Sequence, residues 1–164
     1  MTVHYDKGGV IVRDANINDI DLWEIDPYHQ MRPLEVSEVW ASHHLRPKEA
    51  VSVSCLDSVQ AFTIIHDYHL VGMFGIVPDS LIGERAQVWL LTTEEIYNMR
   101  IRFLKLTRHF IDEMRKSYPV LYNWVDARNE QCVRWLKWAG AEVFPPETHG
   151  VDKMPFHYFV LGGR

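Results

Sequence analysis

The segment from Asp126 to Phe144 reads DARNEQCVRWLKWAGAEVF and predicts the end of a strand, a helix and a returning strand. Asn129 is placed to cap the helix, because an asparagine oxygen can accept from the first free backbone N–H groups. Gly140 permits the left-handed turn with which many helices end. Between them the helix carries one apolar stripe, formed by Cys132, Leu136 and Ala139.

Upstream of this unit, the longest periodic segment runs from Ile96 to Lys116 and predicts a long helix. The runs SVQAFTIIHD and YHLVGMFGIVPD are rich in strand-forming residues and are separated by the turn-like Asp67, so they predict an antiparallel hairpin. ERAQVWLLTT predicts a third strand of the same kind. VLYNWVDA and FHYFVLG predict the strands on either side of the last helix.

The N-terminal region predicts a strand in GGVIVRD and then a helix in ANINDIDLWEI. Asn16 or Asn18 is the expected N-cap. The residues available to face a core are Ile17, Ile20, Leu22 and Ile25. Between residues 26 and 50 the pattern LEVSEVWASHH predicts one short further helix. The whole order predicts a single α/β domain over residues 1–164, with a mixed, mostly antiparallel sheet flanked by helices.

Charge and composition argue against several classes of function. A net charge of -5 argues against nucleic-acid binding through the whole surface, and 47% apolar residues with 24% charged residues are typical of a soluble globular protein. Two cysteines without a secretory leader indicate reduced thiols in a cytosolic protein. The sequence contains no run of about 20 apolar residues, so we expect no membrane span. His43 with His44, and His66 with His69, lack further ligands at zinc-binding spacing, so we expect no metal.

The element order and the spacing around Asn129 together resemble the GNAT N-acyltransferases. In that family a small residue, an aliphatic residue, often a tyrosine, and a glycine follow the asparagine. Here Cys132, Trp135, Leu136 and Gly140 stand at offsets of three, six, seven and eleven. The resemblance implies the GNAT fold and an acyl-CoA donor, acetyl-CoA in most members, with an amine as acceptor.

A narrower resemblance covers the C-terminal half of the chain, from Gln87 to Gly163. The segments QVWLLTTEEIY, FLKLTRHFIDEM and LYNWVDARN with RWLKWAGA are similar to the small GNAT-like proteins of short-tailed phages, a group labelled internal virion protein A. This resemblance implies a phage protein that acts in the host cytoplasm or is associated with the virion.

GNAT enzymes hold the acyl-CoA diphosphate on a glycine-rich loop at the start of the central helix, where backbone N–H groups attract anions. The corresponding segment here, LLTTEEIYNMRIRFLKL, contains no glycine. If the site is retained, the resemblance implies that it is formed by Leu90, Leu91, Thr92, Thr93, Asn98, Arg100, Arg102 and Asn129. The alternative is an ordinary helix that Thr92 or Thr93 caps, with Glu94 and Glu95 in its first turn and a solvated basic face.

Acyl transfer needs an oxyanion donor, a base and an acid. The resemblance places the oxyanion donor among the backbone N–H groups from Leu90 to Thr92. Many relatives have a tyrosine seven positions after the asparagine that serves as the general acid, and this chain has Leu136 there. Tyr122 or Tyr158 would then have to serve as the general acid, unless both are packed aromatic residues. The candidates for the base are Glu94, which we favour, and Glu95, His66, His69 and Asp126.

Two functions from different classes follow. The first is an acyl-CoA-dependent N-acetyltransferase acting on an amine. The second is a catalytically degenerate GNAT scaffold that serves as an internal virion or assembly protein, or binds a host protein. In the second case the residues to inspect as contacts are Trp23, Trp40, Trp135 and Trp138. The helix from Ile96 to Lys116 has a net charge of +4, but such a charge is ordinary for a solvated helix face, so we do not favour nucleic acid as a partner.

Overall fold

The computed structural model describes residues 1–25 and 30–163, and within these ranges nine strands form one sheet. The strands are β1 (Val3–Lys7), β2 (Val10–Asp14), β3 (Gln60–His66), β4 (His69–Pro78), β5 (Arg85–Thr92), β6 (Val120–Asp126), β7 (Glu142–Val143), β8 (Glu147–His149) and β9 (Met154–Leu161). The helices are α1 (Leu22–Ile25), α2 (Pro33–His43), α3 (Pro47–Asp57), α4 (Arg100–Ser117) and α5 (Glu130–Trp138). Turns of 3₁₀ helix cover Ile17–Asp21 and Glu94–Asn98. Among residues 1–25 and 30–163, none of the helices combines the length and the hydropathy of a membrane-spanning segment.

The sheet has the strand order β1-β2-β3-β4-β5-β6-β9-β7, and β8 also pairs with β9. Its neighbouring strands run antiparallel except for β5 and β6, which are parallel. The predicted α/β domain with a mixed, mostly antiparallel sheet flanked by helices is therefore confirmed.

Each face of the sheet has its own apolar core. On one face α4 and α5 pack against strand residues that include Ile64, Phe74 and Leu121. On the other face, the elements that precede β3 cover Met73 and Leu91. Side chains alternate along a strand, so neighbouring residues of β5 contribute to opposite cores. This alternation makes β5 a link between the two sides of the molecule.

The N-terminal region differs from the sequence prediction in two respects. β1, which the sequence analysis did not predict, pairs with β2 as a hairpin. The helix expected from residues 15 to 25 is divided into a 3₁₀ turn and the short α1, and Asn16 caps the turn as predicted by accepting from the N–H of Asn18. Ile20 is buried, but Ile17 is 57% exposed, because the tighter turn directs it to solvent. Ile25 was also expected to face a core, but its side chain, like residues 26–29, lies outside the described part of the structure.

The region from residues 31 to 59 forms two helices instead of one short helix. Proline is the first residue of both α2 and α3, where its missing N–H costs nothing and its fixed φ favours the helix. The second of these helices, α3, extends to Asp57 and is not predicted from the sequence. The first of them, α2, lies against the end of β5, where Glu35 accepts from the N–H of Thr92.

The meander and the central helix follow the prediction closely. Asp67 and Tyr68 have positive φ values of 45° and 71° in the turn between β3 and β4. Thr93 caps the 3₁₀ turn by accepting from the N–H of Glu95, so the expected helix begins with this turn and continues as α4 only from Arg100. Met99 has φ -131° and separates the two parts.

The C-terminal unit is confirmed in detail. The Asn129 side chain accepts from the N–H of Cys132 at 3.3 Å, and Gly140 has a φ of 95° at the end of the helix. Leu136 is 3% exposed, and the other two members of the predicted stripe pack against the same core. The returning strand β7 is only two residues long.

Candidate functional site

The two parallel strands of the sheet separate shortly after they begin to pair. β5 and β6 are in register only from Arg85–Gln87 and Val120–Tyr122. Asn123 marks the point of separation, because its side chain donates to the carbonyl of Val88 at 2.7 Å and accepts from the Gln87 amide at 3.0 Å. Beyond this bridge the strand edges are too far apart to bond, and a gap opens through the sheet.

Leu90 and Thr92 lie on the edge of β5 that faces this gap, beyond the point where β5 and β6 separate. The N–H of Thr93 donates to Val71 of β4, so alternation turns the backbone groups of Leu90 and Thr92 to the opposite side. Thr92 is bonded within the chain, because its N–H donates to Glu35 at 3.1 Å and its carbonyl accepts from the N–H of Arg32 at 3.1 Å. The N–H of Leu90 faces the gap.

A cavity of about 800 Å³ occupies this gap and reaches both faces of the sheet. Leu90 and Leu91, which belong to opposite cores, both line it. On one side its wall includes Glu35, Glu38, Ser42, Ser54, Trp124 and His149. On the other side its wall includes Arg100, Phe103, Phe110, Met114, Trp135 and Trp138. The volume is within the range of small-molecule sites.

Glu35 is a buried carboxylate at the gap, with 6% of its surface exposed. It accepts from the Arg32 guanidinium at 3.0 Å, and from both the N–H and the hydroxyl of Thr92. Burial raises the pKa of Glu35, and the adjacent Arg32 charge opposes that change. Because Glu35 is held by several donors and an ion pair, its role is to fix α2 against β5.

Glu38 lies one helical turn further along α2 and has a different environment. Its described hydrogen bond is from the Asn129 amide, at a long 3.4 Å. Burial, with the negative charges of Glu35 and Asp126 nearby, raises the pKa of Glu38 to about 7. Asp126 is itself paired with Arg128 at 2.6 Å. A carboxyl group that titrates near neutral pH inside a cavity is typical of a general base.

Cys132 also lines the cavity, close to the same carboxylates. Burial raises the pKa of the Cys132 thiol well above its ordinary value, and the charge of Glu38 raises it further. The thiol is therefore protonated at neutral pH, and a nucleophilic cysteine mechanism is not supported.

The beginning of α4 offers a place for an anion. The N-cap residue Met99 makes no side-chain hydrogen bond to the first turn, so the N–H groups there are free of a side-chain cap. Arg100 lines the cavity and lies 4.9 Å from the centre of the Tyr97 ring. Arg102 instead donates to the carbonyl of Gly8, on the β1–β2 turn, and does not line the cavity. Of the two arginines considered from the sequence, the structure places Arg100 at the cavity.

The acidic residues that precede α4 are turned away from this place. Glu95 accepts from Asn98 at 2.9 Å and lies 2.8 Å from His66 on β3. Glu94 is exposed and does not line the cavity. Thr93 is buried and donates to the carbonyl of Leu70. Asn98, Thr93 and Glu94 are therefore beside the cavity rather than on its wall.

The two tyrosines considered as general acids lie together on β6 and β9, with ring centres 6.0 Å apart. Tyr122 lines the cavity, and its hydroxyl donates to Asp79. Burial and this hydrogen bond raise the pKa of Tyr122 to about 12. Tyr158 accepts from Arg85 at 2.8 Å and does not line the cavity.

Glu35, Glu38 and Asn123 are not among the site residues predicted from the sequence. A signal for the two glutamates was present, since they share one face of α2 with Val39 and Ser42, where a core-facing position is normally apolar. Asn123 had a weaker signal, as a polar residue within a strand rich in apolar residues.

Comparison of sequences gives one family match. Residues 73–148 match a family model described as "Bacteriophage T7, probable scaffold protein Gp13". The matched region extends from β4 to β8 and covers less than half of the chain. The model is described as a scaffold protein and not as an internal virion protein, so the narrower resemblance to internal virion protein A stays a prediction. A search of curated protein sequences finds no match.

Comparison of structures gives many similar chains. The ribosomal-protein-S5-alanine acetyltransferase from Vibrio fischeri is 12% identical with a TM-score of 0.68, covering 99% of this chain and 97% of its own. A GNAT-family acetyltransferase from Bacillus anthracis is 11% identical with a TM-score of 0.65, covering 96% of each chain. Spermidine N-acetyltransferase from Vibrio cholerae, in a dodecameric structure, is 12% identical with a TM-score of 0.61, covering 94% of each chain. These likenesses show that the chain has the GNAT fold.

Proposed function

We propose that the protein is an acyl-CoA-dependent N-acyltransferase that acts on an amine, in the cytoplasm of a phage-infected host cell. The observation that carries the proposal is the cavity at the β5–β6 gap, which combines the Leu90 N–H with Glu38, a carboxyl group whose pKa is about 7. An oxyanion donor and a base are two of the groups that acyl transfer to an amine requires. The GNAT fold supports the same chemistry but does not establish it.

The donor side of the site is the side that α4 and α5 cover. Acyl-CoA supplies the acyl group as a reactive thioester. Arg100 and the uncapped N–H groups at the start of α4 fit its diphosphate, since both attract anions. The segment before α4 lacks the glycine loop that would hold the diphosphate. The N–H of Thr92 is already bonded to Glu35, so Leu90 is the open position on β5. Leu90 N–H is therefore the donor that we assign to the acyl carbonyl oxygen.

The acceptor side is the side that α2 covers. Glu38 attracts an ammonium group electrostatically and, when ionised, takes the proton that the amine releases as it bonds to the acyl carbon. The carbon–sulfur bond breaks, and the thiolate of CoA accepts a proton. Tyr122 is the candidate donor of that proton, because it lines the cavity and is protonated at neutral pH, and its hydroxyl has to leave its hydrogen bond to Asp79 to reach the sulfur. In this mechanism Glu38 replaces Glu94 as the base.

The test is release of the CoA thiol from acyl-CoA, measured with a colorimetric thiol reagent, in the presence of a panel of primary amines. The panel includes a polyamine, lysine peptides and peptides with a free N-terminus. We expect turnover with at least one amine. We also expect Glu38→Gln to lower kcat by about 10²-fold or more, since this is the usual contribution of a general base.

Glu130→Gln is the matched control, because Glu130 is an exposed carboxylate at the start of α5 that does not line the cavity. It should keep the wild-type rate. If wild-type protein releases no thiol with any amine and binds no acyl-CoA in calorimetry, the proposed function is wrong.

A second candidate function is a GNAT scaffold within a phage particle, or a binder of a host protein. The match to a probable scaffold family over residues 73–148 supports it, as does the absence of glycine before α4. Two of the four tryptophans considered as contacts are exposed, Trp40 by 49% and Trp138 by 47%. Trp23 is 3% exposed, and Trp135 is partly buried, so neither fits a contact role.

Quantitative mass spectrometry of purified phage particles tests this second function. A fixed copy number per particle that survives protease treatment of the particle surface is the expected result for an internal component. Loss of the protein during particle purification, together with turnover in the thiol assay, would eliminate it.

A further inference from the structure

Asn129 joins the beginning of α5 to the carboxyl group of Glu38. It is 2% exposed, so its side-chain amide needs partners within the protein. The amide oxygen accepts from the N–H of Cys132 at 3.3 Å, and the amide nitrogen donates to Glu38 Oε2 at 3.4 Å. The resemblance to GNAT enzymes implies a cofactor-binding role for Asn129, whereas here both ends of its amide are bonded within the chain.

The helix cap determines which end of the Asn129 amide faces Glu38. A backbone N–H is a donor only, so the atom that caps α5 has to be the amide oxygen. The amide nitrogen then points away from α5 and toward α2. Because the cap needs the oxygen, the amide cannot turn over without leaving the first turn of α5 uncapped. The end of the helix therefore fixes a donor, and not an acceptor, beside Glu38.

The charged groups around Glu38 leave it without a cation of its own. On α2 the Arg32 guanidinium pairs with Glu35 at 3.0 Å. At the end of β6, Arg128 pairs with Asp126 at 2.6 Å. Both guanidinium groups thus have a carboxylate other than Glu38 as their partner. The negative charges of Glu35 and Asp126 act against ionisation of Glu38.

The Asn129 amide acts in favour of ionisation. Burial raises the pKa of Glu38, and the hydrogen bond from Asn129 is the larger of two interactions that oppose this rise. The smaller one is a hydrogen bond with the backbone of Asp126. The Cys132 thiol, on the first turn of α5, is protonated at neutral pH and brings no charge. An amide N–H stabilises the ionised carboxyl group because it can only donate to it.

From these contacts we propose that Asn129 is a positioning residue, which holds the ionised carboxylate of Glu38 at the β5–β6 gap. It acts through Glu38, by placing a fixed donor on the carboxylate from the end of α5. It thereby connects α5, on the donor side of the cavity, with α2, on the acceptor side. As a statement about catalysis this inference rests on the proposed function, since it concerns the base of the same site.

Two substitutions keep the helix cap and remove the donor. Serine and aspartate cap helices about as well as asparagine does. In Asn129→Ser the side chain is too short to reach Glu38, and Asn129→Asp places a carboxylate where the amide stands. Asn16→Ser is the matched control, because Asn16 also caps a turn through its side-chain oxygen but does not line the cavity.

The first measurement is kcat for thiol release as a function of pH, with one saturating amine for all variants and each aliquot brought to a single pH before the thiol reagent is added. The rate should rise with pH as Glu38 ionises. In Asn129→Ser the midpoint of this rise should move upward by about 0.5–1 pH unit, so that kcat is about three- to ten-fold lower at about pH 6. At about pH 9, where Glu38 is ionised in both proteins, kcat should be within about two-fold of wild type.

The other variants set the limits of this effect. Asn129→Asp should move the midpoint further than Asn129→Ser does, because a like charge adds to the loss of the donor. Asn16→Ser should not move it.

The second measurement is urea denaturation, which needs no ligand. The wild type should lose stability with rising pH up to about pH 7, because the folded protein holds the Glu38 proton more tightly than the unfolded chain does. Asn129→Ser should go on losing stability for about 0.5–1 pH unit more. In a Glu38→Gln background, Asn129→Ser should show no such extension, because no carboxyl group is left to titrate at this position.

The outcomes separate this inference from the proposed function. A kcat midpoint that stays unchanged in both Asn129 variants, or a loss of rate that is the same at every pH, would overturn the positioning role and leave the acyltransferase intact. If the wild type releases no thiol with any amine, the proposed function fails, and the urea series decides whether Asn129 holds the ionised carboxylate. A pH window of stability loss that Asn129→Ser leaves unchanged would then overturn this inference as well.

Discussion

The replacement Glu38→Gln is expected to stabilise the protein at neutral and alkaline pH. Burial raises the pKa of Glu38 from its ordinary 4.5 to about 7. The folded protein therefore holds the proton more tightly than the unfolded chain does, and the free energy of unfolding falls as pH rises from 4.5 to about 7. At about 1.4 kcal/mol per pH unit, the wild type loses about 3 kcal/mol across this window. Glutamine keeps an oxygen for the Asn129 amide and does not ionise, so the variant avoids this loss.

The assay is urea denaturation of both proteins at about pH 4.5, 6, 7 and 8, followed by tryptophan fluorescence. The two proteins should have similar stability at the lowest pH, and the variant should exceed the wild type by about 3 kcal/mol at the highest. Glu84→Gln, in the exposed β4–β5 turn, should change stability little at any of these values. Two results would refute the effect assigned to the burial of Glu38. One is a difference in the free energy of unfolding between Glu38→Gln and wild type that stays constant with pH. The other is a wild type that is more stable than the variant at alkaline pH.

Three further predictions concern other parts of the site and fold. Glu35→Ala should lower the free energy of unfolding by about 3–5 kcal/mol in urea denaturation, because it leaves the Arg32 charge buried and unpaired; a loss below about 1 kcal/mol would contradict that view. Gly140→Ala should lower the free energy of unfolding by about 1–2 kcal/mol in the same measurement, because a φ of 95° disfavours a side chain. Nothing lies within 4 Å of the added methyl, so a clash is not the cause. An unchanged midpoint would show that the turn can relax. Tyr122→Phe should lower kcat in the thiol-release assay by at least about ten-fold with little change in acyl-CoA affinity, whereas an unchanged kcat would remove Tyr122 from the mechanism.

The parts of the fold that could be predicted depend on local interactions. Asn129 and Gly140 act on the two ends of the same short helix, and their spacing predicted α5. Likewise Thr93 and Asn16 cap their turns through residues within two positions along the chain. Such signals need no knowledge of the remaining fold.

The site could not be predicted in the same way. Glu35 contacts Thr92, and Glu38 contacts Asn129, across 57 and 91 positions of sequence. The local pattern marks the two glutamates only as polar residues on a partly apolar helix face. They line the cavity only because α2 lies beside the β5–β6 gap. Glu94, favoured from the sequence as the base, stood next to the expected loop in sequence, but the 3₁₀ turn leaves it exposed.

The contact between Glu35 and Thr92 also covers part of the free edge of β5. A strand whose neighbour diverges has a free backbone edge, and free edges are templates for pairing with another chain. The Glu35 carboxylate and the Arg32 N–H occupy the last N–H and C=O on that side of β5, and Met31 forms a bridge with Thr93 just beyond. Only a short edge around Leu90 is left open, too short to recruit a strand. The gap between β5 and β6 can therefore stay open without exposing a long free strand edge to another chain.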